Sequence, residues 1–106
     1  MAGIRLAVPS PVHQGEIIEI KALIQHAMES GFRRGARGEV IERNILTRFE
    51  CDLNGTLVFA ADLHPGVAAN PLITFHLKAM EPGTLTFTWT DQHGEIWQDS
   101  AALKIT

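Results

Sequence analysis

The stretch "NILTRFECDLNGTLVFAA", residues 44–61, reads as a complete antiparallel unit. Ile45, Thr47, Phe49, Cys51 and Leu53 fall on one face of an extended chain, with Arg48, Glu50 and Asp52 opposite. Successive side chains of a strand point to opposite faces, so the alternation predicts a strand with one buried and one solvated side. Asn54-Gly55 then supplies two residues that tolerate the positive φ of a type I′ turn, and "TLVFAA" returns alongside. A chain that builds hairpins this way is a β protein.

The same pattern recurs on both sides of this unit. "GIRLAV" makes a first short strand, stopped by Pro9 and Pro11, and "GEIIEIKALI" puts Ile18, Ile20, Ala22 and Ile24 on one face. "LITFHLKA" places Ile73, Phe75, Leu77 and Ala79 together, and Pro82-Gly83 turns the chain into "TLTFTWTD". There Leu85, Phe87 and Trp89 alternate with four threonines; "DQHGE" turns again into a last strand ending "AALKIT". No segment sustains a helical period. From His26 to Glu42, "HAMESGFRRGARGEVIE" loses all periodicity and carries three glycines and three arginines, which predicts a long irregular excursion. About seven short antiparallel strands in 106 residues predict one all-β domain, residues 1–106, with the architecture of an immunoglobulin-like sandwich. That fold alone assigns no function.

Composition narrows the classes further. Charged residues make up 20% and the formal net charge is −3, so no global field draws nucleic acid. No apolar run is long enough to span a bilayer, and "MAGIRLAVPSPVHQGE" has a prolyl break where a secretory signal needs its apolar centre. Read alone, the chain is cytosolic. Its single cysteine, Cys51, excludes an internal disulfide and a CxxC motif.

The residues that could carry chemistry do not assemble into a catalytic signature. Cys51 lies on the apolar face beside Phe49 and Leu53, which predicts a buried and inert thiol. His13, His26, His64, His76 and His93, with Cys51, raise a mononuclear-iron sandwich enzyme resembling superoxide reductase as an alternative. None of them has HxH, HxxxH or CxxH spacing, and in that family the cysteine lies in a loop motif. Ser10, Ser30 and Ser100 sit in no GxSxG elbow, and "GFRRGARG" lacks the lysine and serine or threonine of a phosphate loop. A free-standing adhesion or binding module is a third reading. No catalytic residue, metal or cofactor is expected.

Four segments, "GEIIEIKALIQHAMESGFR", "FECDLNG", "FAADLHPGVAANPLITFHLKA" and "GTLTFTWTDQHGE", carry a specific resemblance. Together they look like the Z subunits of the SoxYZ sulfur-oxidation carrier complex, from the first strand to the last. One departure is Ala27, where that family usually has proline after the histidine. The resemblance implies a non-catalytic subunit in thiosulfate oxidation that forms a heterodimer with a SoxY-type subunit. In that family the Y subunit's C-terminal Gly-Gly-Cys arm carries covalent sulfur between other Sox enzymes, which make transient contact with the complex. It also implies a periplasmic location without an own signal peptide, reached by export with a partner, and so replaces the cytosolic reading.

Partner contact is accordingly expected at His26, Met28, Phe32 and Arg33 of the irregular excursion, at Asp62, His64 and Asn70, and at Trp97. "ADLHPGVAANP", residues 61–71, is expected to cross between strands as a rigid loop whose prolines fix φ before binding. Met28, Phe32 and Trp97 exceed what one sandwich core accommodates, so an isolated chain is expected to pair with itself through the same patch.

Overall fold

A computed structural model describes residues 3–25, 45–63 and 71–106 of the chain. These form seven strands: β1 (Ile4–Ala7), β2 (Ile17–Ile24), β3 (Leu46–Leu53), β4 (Thr56–Asp62), β5 (Leu72–Lys78), β6 (Gly83–Asp91) and β7 (Ile96–Leu103). All strand pairings are antiparallel, and no helix occurs among the described residues. A three-stranded sheet, β1-β2-β5, faces a four-stranded sheet, β4-β3-β6-β7. This is the expected sandwich, with the expected number of strands.

The period-two pattern sets the core. Ile18, Ile20, Ala22 and Ile24 of β2 are buried, and across the sandwich so are Phe49, Cys51 and Leu53 of β3 and Leu85, Phe87 and Trp89 of β6. Phe49 is the centre, with ring centroids 5.0 Å from Trp89, 6.2 Å from Phe87, 6.2 Å from Phe75 and 6.1 Å from Phe59. Each such side chain, fully removed from water, contributes about 1.5–3 kcal/mol. The threonines of β6 alternate with this set and cover the outer surface of the larger sheet, where β-branched side chains favour the strand without adding apolar exposure.

Turn chemistry fixes the register. Asn54 and Gly55 have φ of 51° and 86°, as a type I′ turn requires. The Asn54 side chain also clamps the neighbouring turn: its Nδ2 donates to Pro82 O at 3.1 Å and its Oδ1 accepts from Thr84 N at 3.0 Å. That side chain occupies the place where a Cβ on Gly83 would stand, so any larger residue after Pro82 displaces the Asn54 clamp.

Two bulges depart from strict alternation. Leu46 pairs with Asp91 but Arg48 pairs with Thr90, leaving Thr47 as an extra residue. Ile45 and Leu46 are consequently both buried, and Thr47, expected on the same face as Phe49, is only half-buried and donates its hydroxyl to Thr90 O. On β4, Cys51 pairs with Phe59 and Asp52 with Leu57, so Val58 is extra and Leu57 moves to the outer face, 49% exposed. Pairing with β3 also continues to Asp62, opposite Arg48. Ala61 and Asp62 therefore end a strand, correcting the expectation that the crossing loop begins at Ala61.

Candidate functional site

The strand ends that flank the candidate segments lie at one end of the sandwich. β5 and β6 are joined by four residues, so the start of β5 and the end of β6 share the opposite end. The end of β2 lies there too, because Leu23 pairs with Leu72; so do the start of β3 and the end of β4, because Leu46 pairs with Asp91 and Arg48 with Asp62. Gln25, Ile45, Leu63 and Pro71, which flank the two segments outside the described residues, are thus all at this end. Of the eight expected partner residues, Asp62 and Trp97 are described; His26, Met28, Phe32, Arg33, His64 and Asn70 lie outside the described residues.

Asp62 is held rather than idle. Its Oδ1 accepts from Arg48 Nη1 at 2.9 Å, and Arg48 Nε lies 3.4 Å from Glu50 Oε1. The guanidinium pKa is raised, first by the hydrogen bond to Asp62 and then by the charge of Glu50. All three side chains are substantially exposed, so the triad orders the surface more than it stabilises the fold. Trp97, at the start of β7, is half-buried and packs against the core. Its neighbour Ile96 is 60% exposed and Leu72 58% exposed, leaving two large apolar side chains in water at this end.

Sequence reading missed the residue that shapes this end. Asp91 is 2% exposed, and its Oδ1 accepts from the backbone N–H groups of His93 and Glu95, both at 2.9 Å. Its backbone closes the same turn, donating to Glu95 O at 3.0 Å and accepting from Gly94 N at 3.1 Å. Gly94 has φ of 83°. The signal was present in "DQHGE": an aspartate ahead of a glycine turn bonds backbone N–H groups two and four residues on. What the pattern does not disclose is that this aspartate continues the buried face of β6.

The described histidines do not converge. His13 Nδ1 lies 3.2 Å from Thr106 Oγ1, His76 Nε2 lies 3.7 Å from Glu19 Oε2 on the outer face of the small sheet, and His93 belongs to the β6–β7 turn. Among the described residues no group of three or more His, Cys, Asp or Glu side chains is placed to hold a metal ion. Cys51 is fully buried within the β3 core face, and burial pushes its thiol up to about 12, with the charge of Asp52 adding to the effect. A thiol so placed does not fit the thiolate of an iron centre at a loop end.

Two outcomes follow for Cys51. A thiol-alkylating reagent at pH 8 should leave the folded chain unmodified and label it stoichiometrically in denaturant. Stability should also fall between pH 9 and about 12, because there the unfolded chain releases the thiol proton that the folded chain retains. Fast labelling of the native protein would refute burial.

A family model described as sulphur oxidation protein SoxZ matches residues 4–102. No curated protein matches the chain. Among solved structures, the superoxide reductase (neelaredoxin) from Ignicoccus hospitalis superposes with a TM-score of 0.72 at 15% identity, covering 97% of this chain and 80% of that one. A reduced-form variant of the superoxide reductase from Archaeoglobus fulgidus gives a TM-score of 0.57 at 17% identity, over 98% of this chain and 89% of that one. At these identities the likeness is one of fold.

Proposed function

Since the chain belongs to the SoxZ family of sulphur oxidation proteins, we propose that it is the non-catalytic subunit of a sulfur carrier complex, paired with a SoxY-type subunit. In this reading it supports the partner's C-terminal cysteine arm while that arm presents covalent sulfur, derived from thiosulfate, to other Sox enzymes. The heterodimer works in the periplasm and is exported through the partner's signal. The family match carries the reading, because it runs through all seven strands, from Ile4 to one residue short of the end of β7.

The geometry supports it in a second way. Both segments expected to make partner contact are flanked by residues at the end where Leu72 and Ile96 are exposed and Arg48 pairs with Asp62. Leu72 and Ile96 each leave a large apolar side chain exposed at this end, one on each sheet, as an interface there would use. The superoxide reductase likeness adds a fold and no more, and a core-buried Cys51 leaves that alternative without its thiolate.

Co-expression with the SoxY-type subunit tests the proposal. A one-to-one complex should co-purify and persist through size exclusion with light scattering, and protein purified without a chelating tag should lack stoichiometric iron. Failure to co-purify would remove the carrier reading, and one iron per chain would replace it with the enzymatic one.

A further inference from the structure

Among the described residues the two sheets have four strand edges, and three of them are blunted. β1 is four residues long, carries Arg5 and runs into Pro9 and Pro11. β5 presents His76 and Lys78. On β7 the Asp91–Glu95 bond sets the ladder so that Ser100 N–H points away from β6, and Asp99 Oδ1 takes that N–H at 2.8 Å. Short strands, prolines, charges and capped donors are the devices that keep an edge from pairing.

β4 has none of these between Thr56 and Ala61 except the bulge at Val58. Leu63 N–H donates to Thr47 O at 2.9 Å, and alternation from that bond assigns Ala61 and Phe59 to the β3 ladder. The backbone N–H and C=O groups of Ala60 and Asp62 therefore face outward, and none of the described residues pairs with them. Inside this edge, partly buried Phe59 stacks on buried Phe75 with centroids 4.3 Å apart and rings 6° from parallel. Outside it, Glu50, Asp52 and Asp62 stand against one cation, Arg48, which is already tied to Asp62 and Glu50.

We propose that the edge of β4, open among the described residues, accepts an extended strand of the partner subunit, with apolar side chains toward Phe59 and basic ones toward Glu50 and Asp52. The inference rests on the carrier-subunit reading. Unpaired backbone groups specify an extended chain as the occupant, and alternate side chains then provide selectivity. The charge balance favours a basic partner strand over a second copy of this chain, which would bring the same carboxylates to the same edge.

Hydrogen exchange on the purified complex with the SoxY-type subunit reads the edge directly. Amides of Ala60 and Asp62 should exchange at least about tenfold more slowly in the complex than in the isolated chain. Ala60→Pro removes one outward N–H and no β3 bond, so far-UV circular dichroism should be retained while affinity falls about tenfold. Asp52→Lys, which leaves the backbone untouched, should weaken binding about fivefold at low salt and less at 0.5 M. A complex that forms with unchanged exchange at Ala60 and Asp62, or that tolerates both variants, overturns the docking edge and leaves the carrier reading intact. Absence of any complex removes both. Protection of the same amides in the isolated chain at rising concentration would assign the edge to a second copy and overturn the proposal.

Discussion

Phe49→Ala should destabilise the chain by about 3–5 kcal/mol, the largest effect expected of any single truncation. Phe49 is fully buried on β3, one of the two central strands of the larger sheet, and meets four aromatic rings, two from β6, one from β4 and one from the opposite sheet. Removing the ring leaves a cavity that neither sheet closes without giving up its own hydrogen-bond register. It also removes aromatic pair energies of about 0.5–1.5 kcal/mol each, which do not add in full. A domain of this size has roughly 5–15 kcal/mol in total. The melting temperature should drop on the order of 15 °C, measured by calorimetry. Phe59→Ala should cost clearly less, because Phe59 is only partly buried at the rim. Equal losses at the two positions would mean that the core is centred on the rim and not on β3.

This centre was legible in the sequence because its signals are local. Leu85, Phe87 and Trp89 between threonines, and Asn54-Gly55 between two apolar runs, report their environment through side-chain period and turn chemistry alone. The bulges at Thr47 and Val58 were not legible, since a bulge is a mismatch between two strands and neither strand carries it separately. The same holds for β4 as an edge: "TLVFAA" reads identically whether its far side is paired or open, and only the order β4-β3-β6-β7 decides. Asp62 was not legible as the last residue of β4, because its place depends on Arg48 across the ladder. Buried Asp91 was concealed by its own chemistry. A charged residue in a turn motif reads as solvated, whereas here the turn folds over it and keeps one oxygen bonded and the other enclosed.

Asp91 is where stability and the candidate site meet, and its two oxygens predict opposite responses. Oδ1 holds the N–H groups of His93 and Glu95, while Oδ2 is buried without a hydrogen-bond partner among the described residues, as is Nε1 of Trp89 two residues earlier on the same face. Hydrogen bonds to a charged acceptor contribute about 1.5–3 kcal/mol each, and burying an unpaired polar atom costs about 1–3 kcal/mol. Asp91→Ala removes both terms. The freed N–H groups belong to exposed residues and regain water, so the net loss should be about 2 kcal/mol. Asp91→Asn keeps the Oδ1 acceptor and replaces a buried charged oxygen by a neutral amide nitrogen, which is cheaper to enclose. It should match or exceed the native stability in urea unfolding. The turn also sets where Ile96 and Trp97 begin β7, so on the proposed carrier reading the alanine variant should lose affinity for the SoxY-type subunit while the asparagine variant retains it. If asparagine instead destabilises as much as alanine, Oδ2 has a partner in solution that requires its full charge. A bound cation at this end of the sandwich would then be the first thing to seek.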